Sequence, residues 1–308
     1  MNPKAMPDSK DAPKQRWKRF LLPAGGLVFF GIVLWLLAEA FLFGPARLIL
    51  VRETVRIPNL PQEWNGLKIL LMSDFHASNH KEDRNLIQRA VDLARRGNPD
   101  LILLLGDFLN GRRESDAMPM EEFFPMLRHL HARYGVYAVL GNHDRWINSP
   151  KIIRHLNEAG IRVLENSAVT LERDGKRLHL AGLAESEPRT DLRFVRRTPE
   201  EPLIVMMHYP DLYLRIAPGP ILLLAGHTHG GQVKLPLLGR PGIPSRHGQR
   251  FAYGFIEEIP GKKMFVTSGL GTSMLRVRFR CPPEIVLLTL VRETSSPRPE
   301  ELRKPLIP

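Results

Sequence analysis

The 308-residue sequence predicts an α/β fold in which two β-sheets pack together and are flanked by helices, with one N-terminal transmembrane helix. Three observations carry this prediction. In the first half of the soluble part, short apolar runs alternate with segments of helical spacing. After Ile161, strand-like runs dominate. A long uncharged apolar segment precedes both halves.

The uncharged segment runs from Phe20 to Ala38, and apolar residues continue to Phe43. A helix of this length can cross about 30 Å of hydrocarbon, whereas the core of a signal peptide is usually shorter. We therefore expect a transmembrane anchor at residues 20–43. Ala38-Glu39-Ala40 resembles a signal-peptidase site, so cleavage of the segment stays an alternative.

The charges that flank the anchor predict its orientation. Residues 1–19 carry six Lys or Arg, whereas a similar length on the other side carries Arg47, Arg52 and Arg56. The positive-inside rule then predicts a single-pass protein of the inner or plasma membrane, with a cytoplasmic N-terminus and an extracytoplasmic main domain. We expect residues 1–19 to form a disordered basic tail and residues 293–308 a flexible one.

The first half of the soluble part reads as alternating strands and helices. Residues 44–66 are expected to be a linker that contributes an edge strand. The predicted strands are 67–73, 101–105 and 136–140, and the predicted helices are 83–97, 120–135 and 150–160. Continuous apolar strands between helices are typical of a sheet that helices cover.

The second half contains more strands, and we treat residues 67–292 as one domain. The candidates are 161–164, 168–173, 177–181, 203–207, 221–224, 263–267 and 285–291. Asp174-Gly175 separates two of them and predicts a hairpin.

The overall charge limits the partners. A net charge of +12 suits anionic lipid, phosphorylated substrates or nucleic acid, and simple solubility is an equally good explanation. The charge forms no stripe with interleaved aromatics, so we expect no nucleic-acid partner. The single cysteine, Cys281, excludes an intrachain disulfide and a Cys-rich zinc site.

Five segments place Asp, Asn or His at the end of an apolar run. They are Ser73-Asp74-Phe75-His76, Gly106-Asp107, Gly141-Asn142-His143-Asp144, His208 and Gly226-His227-Thr228-His229. Because ligands bind beyond the carboxyl ends of strands in open α/β sheets, these segments are expected to meet at one rim. Divalent metals take such side chains, and two metals need about this many.

Spacing adds to the metal hypothesis. Asp74 and His76 are two residues apart, as are His227 and His229, and in extended chain that spacing points both side chains the same way. A lone carboxylate such as Asp107 can bridge two cations. Any one of these residues is more often structural than a ligand, but five such coincidences together favour a metal site.

The order of these motifs resembles the calcineurin-like metallophosphoesterases from about Leu67 to Leu290. Gly226 to Gln232, Ser268 to Ser273 and Pro283-Glu284-Ile285 look like the bacterial membrane-anchored branch. That branch includes enzymes similar to UDP-2,3-diacylglucosamine pyrophosphatase and related phosphodiesterases. One departure is Arg276, where the branch often has Pro. The resemblance implies a four-layer α/β/β/α sandwich.

The resemblance also implies roles. Asp74, His76 and His229 would hold one metal, Asn142, His208 and His227 a second, and Asp107 would bridge both. The ions would be two divalent cations such as Mn, Fe, Zn, Co or Ni. His143 would stand beside the leaving group. Asp144 would orient His143, or would cap a helix expected near Asn148 or Ser149.

The implied activity is hydrolysis of a phosphodiester or pyrophosphate by metal-activated hydroxide. A lipid-linked substrate such as UDP-2,3-diacylglucosamine would suit an anchored enzyme, although that lipid is made on the cytoplasmic side. Alternatives are a phosphomonoesterase on cell-envelope substrates and a non-catalytic metal-binding scaffold. Arg112, Arg145 and Arg278 are the candidate substrate contacts, since arginine suits phosphate oxygens.

Overall fold

The computed structural model describes residues 26–184, 189–195, 201–219 and 221–293. The predicted tail at residues 1–19, the first part of the predicted anchor at residues 20–25, and residues 294–308 lie outside this range.

Five helices are present in the described residues. They are α1 (Gly26–Ala46), α2 (Lys81–Arg96), α3 (Met120–Leu127), α4 (Asn142–Ile147) and α5 (Ser149–Glu158). Helix α1 contains a π-helical turn at Glu39–Phe43. It has 21 residues and a mean hydropathy of 2.3, which is long and apolar enough to span a bilayer. Some signal sequences near an N-terminus also meet this criterion of length and composition.

In the part of the chain that the structure describes, twelve strands form two six-stranded mixed sheets. The first sheet has the order β1-β12-β2-β3-β4-β5 and the second β10-β11-β9-β8-β7-β6. The strands are β1 (Ile49–Pro58), β2 (Lys68–Met72), β3 (Leu101–Leu104), β4 (Val136–Ala138), β5 (Arg162–Val163), β6 (Ser167–Arg173), β7 (Lys176–Gly182), β8 (Leu203–Met206), β9 (Ile221–Ala225), β10 (Gly254–Ile259), β11 (Lys262–Val266) and β12 (Glu284–Glu293).

Alternation along each central strand places one set of side chains between the sheets. Ile69 and Leu71 of β2 face Leu222 and Leu224 of β9 in a common buried core. The neighbouring residues of β2, Leu70 and Met72, pack instead against α2, α3 and α5. This arrangement confirms the predicted pair of sheets.

The outer layer over the second sheet differs from the one over the first. In the described residues it consists of 3-10 turns such as Pro210–Arg215 and Gly248–Phe251, which pack on β8, β9 and β11. The structure therefore has the predicted order of four layers, but in the described residues the fourth layer consists of short 3-10 turns.

Two local predictions have different outcomes. Asp174 and Gly175 both have positive φ, 50° and 75°, and join β6 to antiparallel β7, which confirms the hairpin. The helix predicted at residues 120–135 is wrong beyond Leu127. Pro125 lacks the N–H for an i→i−4 bond, and the last turn tightens through Arg128 N–H donating to Pro125 O.

Candidate metal centre

The five polar segments follow five strands. Parallel pairing of β2 with β3, of β3 with β4, and of β8 with β9 directs the carboxyl ends of these strands to one rim. Five of the seven predicted ligands have backbone φ in the left-handed region: Asp74 (52°), His76 (42°), Asp107 (55°), His227 (71°) and His229 (51°). Such strain in non-glycine residues clusters at functional sites, because the surrounding fold must hold it.

One group of potential ligands consists of Asp74, His76 and His229. Their ligand atoms lie within 4.8 Å of one another, and all three side chains are buried. His76 Nε2 is 3.0 Å from His229 Nε2, which is 3.5 Å from Asp74 Oδ1. Two nitrogens and an oxygen therefore point at a common centre.

A second group consists of Asp107, His208 and His227, again with ligand atoms within 4.8 Å. His208 Nε2 lies 3.2 Å from Asn142 Oδ1, which adds the amide to this group. The other ring nitrogen, Nδ1, lies 2.7 Å from the carbonyl oxygen of Leu105. That contact requires Nδ1–H as the donor and leaves Nε2 to face the site.

Asp107 lies between the two groups. Its Oδ2 is 3.4 Å from His76 Nε2 and 3.3 Å from His208 Nε2. Its Oδ1 accepts a 2.9 Å hydrogen bond from the backbone N–H of His143, which fixes the direction of the carboxylate. One carboxylate thus contacts both groups at once.

Burial decides the protonation of most of these imidazoles. It lowers the pKa of His76 and of His227 to about 3 each, and the pKa of His229 well below its ordinary value. At neutral pH these rings therefore present lone pairs. Burial also raises the pKa of Asp74 to about 6, with the negative charge of Asp107 adding to the effect.

Asp107 and His208 form a strongly ionic pair. Burial opposes charge on both, but their mutual attraction outweighs it, so the pKa of Asp107 is held below its usual range and that of His208 is raised to about 10. A proton on His208 supplies the positive charge that this buried carboxylate needs. A divalent cation would supply that charge in place of the proton. The donor set, with buried imidazole nitrogens and carboxylate oxygens, fits borderline divalent metals.

His143 is half-buried, and its ligand atom lies within 4.8 Å of those of His76 and Asp107, so it adjoins both groups. Its Nδ1 lies 2.8 Å from the carbonyl oxygen of Gly111, so Nδ1–H donates and Nε2 is the nitrogen left for other contacts. Its ring centroid is 4.5 Å from that of His76 and 4.6 Å from that of Trp146. Burial lowers the pKa of His143.

The expectation that Asp144 orients His143 is corrected by the contacts. The buried Asp144 carboxylate accepts hydrogen bonds from the backbone N–H groups of Gly141 (2.8 Å), Asp107 (2.9 Å) and Phe108 (2.9 Å). Asp144 therefore ties the Gly141 segment to the Asp107 segment, and Gly111 orients His143 instead. The burial of its carboxylate raises the pKa of Asp144 to about 7.

The helix near Asn148 is not capped by Asp144. Asn148 caps it, because its Oδ1 accepts from the backbone N–H of Lys151 at 3.2 Å. Asp144 instead lies in the first turn of the preceding helix, α4, and reaches back to the residue before that helix.

The predicted substrate contact by Arg278 is also corrected. Its side chain is buried, and its guanidinium donates to the carbonyl oxygens of Ser268 (2.8 Å), Gly271 (2.6 Å) and Cys281 (3.1 Å). The segment that contains these carbonyl oxygens is hydrogen-bonded to a candidate ligand, since Gly271 N–H donates to the carbonyl oxygen of Asp74 at 2.6 Å. Arg278 is thus a structural support of the first ligand group.

The other two arginines differ from each other. Arg145 has a side chain only 11% exposed and is paired with Glu165. Arg112 is exposed and lies over the Trp146 ring, 4.8 Å from its centroid, beside His143. Of the three candidate contacts, only Arg112 combines exposure with proximity to the site.

The sequence analysis does not predict two features of the site. Aromatic rings flank the imidazoles: Tyr209 lies 4.1 Å from His227 between ring centroids, and Trp146 lies beside His143. The sequence places these aromatic residues one position after His208 and two after Asp144, which is the pattern that could have indicated them.

The second feature is a steric requirement for glycine at position 226. A Cβ on Gly226 would lie 2.1 Å from Ser73 Oγ and 2.6 Å from Asp74 Oδ2.

Comparison with known proteins agrees with this geometry. The family model described as calcineurin-like phosphoesterase matches residues 67–231. The chain is 30% identical to metallophosphoesterase YkuE of Bacillus subtilis, over 77% of this chain and 84% of that protein. It is 32% identical to phosphodiesterase YaeI of Escherichia coli, over 73% and 82% respectively.

A vertebrate relative is similar as well. The chain is 29% identical to a transmembrane protein with a metallophosphoesterase domain from Danio rerio, over 77% of this chain and 56% of that protein. The family match spans all seven candidate metal ligands, and the alignments cover 84% and 82% of the two bacterial relatives. This protein belongs to the calcineurin-like phosphoesterase family and is a metallophosphoesterase, a hydrolase of phosphoesters.

Proposed function

We propose that this protein is a membrane-anchored, dinuclear-metal phosphoesterase that hydrolyses a phosphodiester or a pyrophosphate. The observation that carries the proposal is the position of Asp107, whose single carboxylate oxygen lies 3.4 Å from His76 Nε2 and 3.3 Å from His208 Nε2. A carboxylate that contacts both ligand groups could bridge two adjacent cations.

The residues divide between two metals as follows. One ion would be held by Asp74, His76 and His229, a second by Asn142, His208 and His227, and both by Asp107. When bound, such a pair supplies a hydroxide nucleophile at neutral pH and neutralises charge on the phosphoryl oxygens. Mn, Fe, Zn, Co and Ni all suit this donor set.

His143 is proposed as the proton donor to the leaving oxygen. Its Nδ1–H is engaged by Gly111 O, so the proton for transfer would be held at Nε2. Burial lowers the pKa of His143, so the ring is a stronger acid once Nε2 is protonated, and only a minor fraction of the rings carries that proton at neutral pH. The exposed guanidinium of Arg112 beside this ring is the proposed contact for a distal phosphate or other anionic part of the substrate.

A diester is preferred over a monoester as the substrate. One relative, YaeI, is named a phosphodiesterase. Two of the three candidate arginines do not face the substrate, since Arg145 is paired with Glu165 and Arg278 is buried. A phosphomonoesterase on cell-envelope substrates is the alternative.

Helix α1 supports a membrane location for the enzyme. We propose that it is retained as an anchor with a cytoplasmic N-terminus, so that the metal rim faces the extracytoplasmic side. Tethering raises the local concentration of membrane substrates. If the domain faces the cytoplasm instead, a lipid-linked phosphoester of the UDP-2,3-diacylglucosamine kind is a candidate substrate. Reporter fusions after residue 293 test the side directly, because activity of an extracytoplasmic reporter requires export.

The reaction is tested with paired chromogenic substrates. Full-length protein in detergent, loaded with Mn²⁺, is expected to hydrolyse bis(p-nitrophenyl) phosphate faster than p-nitrophenyl phosphate. Faster turnover of the monoester would establish the phosphomonoesterase alternative. Metal-loaded protein with no turnover of either compound would favour a non-catalytic scaffold.

A further inference from the structure

Two loops near the metal rim expose large apolar side chains to solvent. The leucine loop (residues 234–240) carries Leu237 and Leu238, which are 106% and 70% exposed. The methionine loop (residues 271–280) carries Met274 and Leu275, which are 99% and 66% exposed. Adjacent apolar residues that protrude in this way are typical of interaction sites.

The two loops form one unit. Lys234 N–H donates to the carbonyl oxygen of Phe279 at 2.9 Å. The side chain of Gln232 joins the loops a second time, with Nε2 donating to Leu275 O at 3.2 Å and Oε1 accepting from Ser273 N–H at 2.6 Å. The four apolar side chains therefore belong to a single connected surface.

This surface adjoins the end of α1. The backbone N–H of Arg278 donates to Ala40 O at 2.9 Å, and a Cβ on Gly44 would lie only 1.9 Å from Arg278 O. Met274 is four residues before Arg278, so it lies at most about 14 Å from this contact along the chain. A membrane that contains α1 would thus pass close to the tip of the methionine loop, and the leucine loop is hydrogen-bonded to the adjoining residue Phe279.

Cations predominate in the two sequence segments that carry the tips. Between residues 212 and 256 the sequence has no Asp or Glu, while Lys234, Arg240, Arg246 and Arg250 all lie within it. Residues 271–283 also lack a carboxylate; of their three arginines, Arg278 is buried and Arg276 lies 3.7 Å from Glu82 and 3.6 Å from Asp83, which leaves Arg280 exposed. Lys234 and Arg280 are exposed. Apolar tips among cations suit the interface of an anionic bilayer, where the tips enter the acyl boundary and the cations meet the headgroups.

We propose that the leucine loop and the methionine loop dock into the surface of an anionic lipid bilayer beside α1. This inference rests on the proposed membrane anchoring. It goes further, because docking also determines where the metal rim lies. Cys281 Sγ donates to His229 O at 3.4 Å, and the leucine loop begins five residues after His229. Docked loops hold the first ligand group at the level of the headgroups, where the phosphoester of a lipid is found.

Depth-dependent fluorescence quenching tests this proposal in the full-length protein. Single variants Leu237→Cys and Met274→Cys are labelled with the fluorophore NBD and reconstituted into vesicles that contain phosphatidylglycerol and spin-labelled lipid. The native Cys281 is buried, and labelling of the unmodified chain measures its background. Leu34→Cys reports on anchoring. Asp174→Cys, in the exposed hairpin at the amino end of β7 and so opposite the metal rim, is the matched control.

Labels at 237 and 274 are expected to be quenched at least about twofold more than the label at 174, and more in phosphatidylglycerol than in phosphatidylcholine vesicles. Adding Leu238→Asp and Leu275→Asp to the Met274→Cys chain should reduce the quenching while leaving hydrolysis of soluble bis(p-nitrophenyl) phosphate unchanged. Quenching at 34 with none at 237 and 274 would overturn docking while anchoring stands. Absence of quenching at 34 would overturn anchoring itself, and equal quenching in both lipids would refute the selectivity for anionic lipid.

Discussion

The backbone N–H of Arg278 donates to the carbonyl oxygen of Ala40 at 2.9 Å, which joins the end of α1 to the chain beneath the metal rim. From the same residue, the buried guanidinium reaches the carbonyl oxygens of Ser268 and Gly271. Gly271 in turn bonds to Asp74. Three consecutive contacts therefore connect the apolar helix to a candidate metal ligand.

Arg278→Met should destabilise the protein strongly. The substitution leaves several buried carbonyl oxygens without a donor, which costs about 1–3 kcal/mol for each group left unpaired. Thermal unfolding followed by circular dichroism should show a fall in Tm of several degrees or more. The matched control is Arg280→Met, whose side chain is exposed. Equal, small changes in the two variants would mean that the buried guanidinium contributes little.

Gly226→Ala should reduce metal binding without a large loss of stability. The new Cβ would lie 2.6 Å from Asp74 Oδ2 and 2.1 Å from Ser73 Oγ, so the carboxylate must move away from the first ligand group. We expect affinity for Mn²⁺ to fall by about tenfold or more, measured by isothermal titration calorimetry. Gly31→Ala is the control, because no atom lies within 4 Å of its added Cβ. Unchanged affinity in Gly226→Ala would contradict a ligand role for Asp74.

Asp107→Asn should lower both metal content and rate. The neutral amide removes the negative charge that the two groups share, and the expected loss in rate is about 100-fold or more. Elemental analysis of the purified protein measures the metals, and hydrolysis of bis(p-nitrophenyl) phosphate measures the rate. Retention of both metals at full activity would show that Asp107 does not bridge them.

His143→Ala should separate rate from metal binding. Loss of a proton donor costs about 10²–10⁴-fold in rate, while both metals should remain bound. The rate loss should be smaller for a diester whose leaving group is a weak base, because such a group departs without a proton. If the variant instead loses a metal, His143 is a ligand and its proposed role is wrong.

Much of the fold could be predicted because its signals are local. Continuous apolar runs at residues 67–73 and 101–105 correspond to β2 and β3, and the Asp174-Gly175 hairpin follows from backbone preference alone. The helix predicted at residues 120–135 is too long. The apolar periodicity continues past Pro125, whereas the hydrogen-bonded helix ends at Leu127.

The candidate ligands could be proposed for a related reason, since each lies within four residues of the carboxyl end of a strand. The contacts that Arg278 and Asp144 make to support these residues could not be predicted. Arg278 alternates with Arg276 and Arg280 in sequence and looks like part of a charged surface, yet its side chain is buried against backbone carbonyls far away in sequence. Asp144 likewise bonds to Asp107 and Phe108 across 37 and 36 residues. Such contacts depend on the packing of loops, which no short pattern encodes.

The most direct test of the dinuclear centre combines metal analysis with turnover on one sample. Full-length protein is freed of metal with a chelator, titrated with Mn²⁺, and assayed on bis(p-nitrophenyl) phosphate at each step. Our account predicts that activity rises to a plateau as binding approaches about two ions per chain, and that the rise follows the second ion more closely than the first. A plateau at one ion per chain, or saturation with metal and no hydrolysis, would contradict it.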